Sequence, residues 1–104
     1  MIEKTKGPDA ASALYEAIIK LQTPQEAYRF FCDLCTVSEL KAMEQRFQVA
    51  GLLAKGYIYT DIVEQTGASS ATISRVNRCL QYGDDGYRTV LSRMEPENAP
   101  EDPA

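Results

Sequence analysis

The amino-acid sequence predicts an all-α fold of about six helices that includes a helix-turn-helix. Three observations predict it. Apolar residues recur at helical spacing in successive blocks, and the blocks open on capping signals or close on glycine. No stretch alternates apolar with polar residues as a half-buried strand does. Asp61–Arg78, DIVEQTGASSATISRVNR, divides at Gly67 into two short helical patterns.

Residues 1–8 are polar, end in Gly7-Pro8, and are expected to be flexible. From Asp9 a first helix carries Leu14, Ala17, Ile18 and Leu21 at i, i+3, i+4 and i+7. Thr23-Pro24-Gln25-Glu26 restarts the chain, with Thr as N-cap, Pro at the first helical position and Glu three residues on. This second helix runs to about Cys35 with Ala27, Phe30, Phe31 and Leu34 as its stripe. Thr36-Val37-Ser38-Glu39 is another capping box and opens a third helix to about Lys55. Its stripe is Leu40, Met43, Phe47, Ala50 and Ala54, widened by Val49, Leu52 and Leu53, and Gly56 closes it. After the helix-turn-helix, Tyr82–Gly86 breaks the chain, and Tyr87, Val90, Leu91 and Met94 mark a last short helix. Residues 9–94 therefore read as one folded domain. Residues 95–104 hold three prolines and four acids and read as a disordered acidic tail.

The segment around Gly67 carries the functional signal. Ile73 and Val76 give its second helix a buried stripe, while Ser69, Ser70, Ala71, Ser74, Arg75 and Arg78 point away from it. A DNA-reading helix needs that division: one side packs on its partner helix, the other offers small polar and cationic groups to the major groove. The formal charge of −4 speaks against nucleic acid only until it is partitioned. Residues 41–94 hold seven bases and five acids, whereas 95–104 hold four acids and no base. A duplex feels the docking face more than the total.

Cys32, Cys35 and Cys79 do not suit a disulfide-stapled secreted domain, and no apolar run is long enough to span a membrane. A cytoplasmic protein is expected. With no histidine and one further cysteine, a four-ligand zinc site at Cys32 and Cys35 is hard to assemble. Buried thiols among Phe30, Phe31 and Leu34 are expected instead. No catalytic constellation competes, so the chain is not read as an enzyme. Tyr15, Ile19 and Tyr28 add a second apolar strip to the first two helices, more than one hairpin needs, and a symmetric partner copy is expected to cover it.

TVSELKAMEQRFQVAGLLAKG (36–56) followed by TGASSATISRVNRCLQYGDDGYRTVL (66–91) resembles the tryptophan repressor superfamily, more closely its YerC/YecD-type branch. The resemblance implies an intertwined all-helical homodimer that binds a palindromic operator in double-stranded DNA and represses transcription. It matches Ser70, Ala71 and Ser74 to positions facing base edges, with Thr72 between them. Together with Ser69, Arg75 and Arg78 they form the expected DNA-binding set. It also matches Thr36, Arg46 and Arg75 to a corepressor pocket. Val76 stands where the repressor has a glycine against which the ligand's indole packs, and a branched side chain fills that volume. No cofactor is therefore expected; an amino-acid-like corepressor stays open, and tryptophan is disfavoured. Asp33 also departs from the repressor, which has an apolar residue there. Asp61 and Glu64 lie where a phosphate-facing helix prefers cations. They favour the rival reading, a dimeric protein-interaction module of the same fold that does not bind DNA. A thiol-exchange enzyme using Cys32 and Cys35 is the remaining alternative.

Overall fold

In the computed structural model, which describes residues 10–94, six helices follow one another. They are α1 (Ala10–Ile18), α2 (Pro24–Leu34), α3 (Val37–Ala54), α4 (Tyr59–Thr66), α5 (Ser70–Tyr82) and α6 (Gly86–Met94). No described residue lies in a strand. The flexible start expected for residues 1–8 and the disordered tail expected for 95–104 lie outside the described residues. The helices fall into two compact units that divide within α3, one up to Leu40 and one from Lys41 onward.

In the first unit the caps form as their local chemistry dictates. The Glu26 N–H donates to Thr23 Oγ1 at 3.0 Å, and the Glu26 carboxylate accepts from the Gln22 N–H at 2.9 Å. Pro24 occupies the first turn, where its missing N–H costs nothing. At the start of α3 the exchange is reciprocal: Glu39 N–H to Thr36 Oγ1 at 3.1 Å, Thr36 N–H to Glu39 Oε1 at 2.8 Å. Chain direction changes earlier than the periodicity predicts, because α1 ends at Ile18. Lys20 and Leu21 donate three residues back, to Ala17 and Ile18, and close a tight last turn. Leu21 therefore lies past the helix whose stripe it was expected to finish.

The Glu39 carboxylate is held below its ordinary value, chiefly by the Thr36 N–H and then by the Thr36 hydroxyl bond. A depressed folded-state pKa stabilises above the unfolded value, and the contribution is lost as pH falls through the lowered folded value. Glu39→Gln is therefore expected to lower the melting temperature slightly at neutral pH. The gap to wild type should close as pH drops below the ordinary carboxylate range, which thermal melts across that range will read.

The second unit holds the core. Val49 and Ala50 of α3, Ile62 of α4, Ala68 of the turn, and Ile73 and Val76 of α5 form one buried cluster. Leu52, Leu53, Tyr87 and Leu91 pack around it, and Phe47 meets Tyr87 with ring centroids 6.4 Å apart. Each of the four largest, Ile62, Ile73, Val49 and Val76, contributes about 1.5–3 kcal/mol by leaving water. The α3 stripe is thus rotated from the predicted one: Ala54 is exposed, and Val49 is fully buried beside Ala50. The Arg88 Nε–H donates to the Leu80 carbonyl at 2.8 Å, satisfying an orphan acceptor at the end of α5 and joining α6 to it. Gly83 closes α5 because a Cβ there would run into the Cys79 carbonyl.

Candidate nucleic-acid interface

The turn between α4 and α5 is built by three local devices and one brace from α3. Gly67 caps α4 in the left-handed region at φ 72°, and its N–H donates to the Val63 carbonyl at 2.8 Å. The Thr66 hydroxyl donates to the Ile62 carbonyl at 2.7 Å and accepts from the Ala68 N–H at 3.0 Å. Gln45 reaches across from α3, its Nε2–H donating to the Thr66 carbonyl at 3.2 Å. Ser69 is the N-cap of α5, its Oγ accepting from the Thr72 N–H at 3.1 Å and donating to Thr72 Oγ1 at 3.1 Å. Position and orientation of α5 follow, with Ile73, Val76 and Leu80 pointing inward and buried.

The outward face carries the remaining residues. Ser69, Ser70, Ala71, Ser74, Arg75 and Arg78 are all exposed. Ser70, Ser74 and Arg78 are four apart and share one row; Ala71 and Arg75 form the next. Thr72 is half-buried, with its hydroxyl engaged by Ser69. No carboxylate lies between Gln65 and Gly83, so the charge on this face is that of Arg75 and Arg78 alone. Asp61 and Glu64 are exposed on α4.

Arg75 has a second neighbourhood. With Ala71 and Thr72 it forms one wall of a cleft of about 270 Å³, whose other wall is Ala42, Gln45 and Arg46 of α3. Two guanidinium side chains thus line one cleft whose walls carry no carboxylate. The structure brings together two of the three expected pocket residues, Arg46 and Arg75. Thr36 belongs to the other unit, where its hydroxyl caps α3. Sequence reasoning missed Ala42 and Gln45. Ala42 stands three residues before Gln45 and four before Arg46, which puts them on a single face of α3, and that is the signal that would have found them.

The thiols expected to be buried are not. Cys32 is exposed and Cys35 half-buried, because Cys32 falls one residue off the Phe30–Phe31 stripe and turns away from it. Among the described residues no group of three or more potential metal ligands occurs, and no described helix is long and apolar enough to cross a membrane.

This architecture has relatives. The sequence profile of the Trp repressor protein family matches residues 10–95. YerC of Bacillus subtilis (strain 168) is 46% identical over 94 residues, covering 90% of this chain and 89% of YerC. The crystal structure of a putative Trp repressor from Staphylococcus aureus is 48% identical with a TM-score of 0.79, covering 86% of this chain and 88% of that one. A TrpR-like protein from Eubacterium eligens ATCC 27750 is 52% identical with a TM-score of 0.78, covering 82% and 88%. A six-helix chain with this turn, matched almost end to end by that profile, belongs to the Trp repressor family.

Proposed function

We propose that the chain is a sequence-specific DNA-binding transcriptional regulator, a repressor, working as a homodimer in the cytoplasm. The observation that carries the reading is the acid-free outer face of α5, with Ser70, Ala71, Ser74, Arg75 and Arg78 exposed over a buried Ile73–Val76–Leu80 seam. Short polar side chains let the helix approach base edges closely, and the two arginines supply contacts to guanine or phosphate. The Ser70 and Ala71 amides at the helix start add donors for a phosphate.

Dimer formation draws on a different observation. From residue 11 to residue 40 no side chain is buried, while Tyr15, Ile19, Tyr28, Leu34 and Val37 are at least half exposed. A segment of that size cannot keep so much apolar surface in water, and a second copy covers it at low cost in new sequence. Two-fold symmetry then sets two α5 helices about 34 Å apart, one DNA turn, on a palindromic operator.

The Arg46–Arg75 cleft is the proposed effector site. Its ligand is an anion such as an amino-acid carboxylate. Tryptophan is disfavoured as that ligand because Val76 stands where the tryptophan repressor has the glycine against which the indole packs.

Selection of bound sites from random duplex DNA, with and without a panel of amino acids, tests the reading. An enriched palindrome whose binding weakens steeply with salt is expected. The exposed Asp61 and Glu64 favour the alternative, a dimeric interaction module. Absence of any enriched site at low salt would overturn the DNA-binding reading and favour that alternative.

A further inference from the structure

We propose that the acidic segment 95–104 docks on the exposed face of α5 in its own chain and holds the helix-turn-helix off DNA until a duplex displaces it. The proposal rests on the DNA-binding reading above. Charge complementarity is its first support. The only charges from Gln65 to Gly83 are Arg75 and Arg78. The unit's carboxylates sit elsewhere, Glu44 on α3, Asp61 and Glu64 on α4, and Asp84 and Asp85 past the end of α5. The ten residues following Met94 carry Glu95, Glu97, Glu101 and Asp102 and no base, so they offer this face what a phosphate strand would offer.

Reach is the second support. Tyr87 stacks near Phe47, and Leu91 Cδ2 comes within 4.0 Å of where a Gly51 Cβ would stand, so α6 runs alongside α3 in the same direction. The start of α5 lies against Ala42, Gln45 and Arg46 of the same α3. Met94 is therefore displaced from the α5 face by roughly 15 Å along α3, at 1.5 Å rise per residue. Ten residues span up to about 33 Å when extended, which is ample. Tethering raises the local concentration of the segment to the mM range, so even a contact of about 0.1 mM suppresses competing DNA by about tenfold.

The experiment compares the full chain with a variant carrying Glu95→Gln, Glu97→Gln, Glu101→Gln and Asp102→Asn. Amide NMR spectra without DNA are expected to differ between the two at Ser69–Arg78 in low salt and to converge in high salt. Duplex binding by the variant is expected to be about tenfold tighter at low salt. Unchanged α5 signals would overturn docking, and tighter DNA binding without spectral change would assign the segment to long-range repulsion instead. If neither chain bound any duplex, the DNA-binding reading would fail, and the spectra would still decide whether the segment docks.

Discussion

Ile73→Ala is expected to cost about 2–5 kcal/mol of unfolding free energy, the range for emptying a core site that cannot collapse. Ile73 is 0% exposed and lies in the cluster that α3, α4 and α5 share, beside Val49, Ile62 and Val76. The lost methylenes leave a gap walled by three different helices, so no single side-chain rotation refills it. The cluster is small, and its loss would leave α5 poorly seated on α4. DNA binding should therefore weaken although Ile73 faces away from any duplex. Val63→Ala is the control, since Val63 is 41% exposed on α4 and should change stability by no more than about 0.5 kcal/mol. Urea unfolding at matched protein concentration measures both, because association makes apparent stability concentration-dependent. A loss under about 1 kcal/mol at Ile73 would show that the packing of the α3–α4–α5 cluster relaxes around it.

The parts of the fold that were legible in the sequence are those fixed within four residues. Thr23 with Glu26, Thr36 with Glu39, and Gly67 each act on neighbouring backbone groups, and each stands in its expected role; Ser69, expected only on the outward face, also caps α5. What the sequence hid depends on contacts between distant segments. Gln45 reaches Thr66 across twenty-one residues, so nothing near Gln45 announces that it braces the turn. The α3 helix has two apolar rows, and only its neighbours α4 and α5 decide that Val49 and Ala50 face inward while Ala54 does not. Cys32 failed for a similar reason: apolar neighbours in sequence do not bury a residue that sits off their helical stripe. The α1–α2 surplus was legible, because counting apolar rows needs no tertiary information, and Tyr15 and Ile19 stand 64% and 80% exposed.

Arg78→Ala is expected to weaken operator binding by about 1–3 kcal/mol if the guanidinium reads a base edge, with relaxed preference at one position of each half-site. If Arg78 instead meets a phosphate, binding should weaken evenly across sequences and the salt slope should fall by about one unit. Equilibrium binding to the selected site and to a scrambled duplex, each over a salt series, separates these cases. Arg75 is the more informative residue because it borders both the α5 face and the cleft with Arg46. Arg75→Ala should weaken DNA binding in the absence of any effector. Arg46→Ala removes charge only from the α3 wall and should leave effector-free binding close to wild type. If both variants lowered effector-free affinity equally, the cleft would be part of the DNA-facing surface, and its assignment to a small anion would be wrong. If Arg46→Ala removed only the response to an added amino acid, Arg75 would be shared between ligand and operator. An occupant of the cleft would then alter DNA affinity by repositioning that one guanidinium, without any movement of the α3–α5 core.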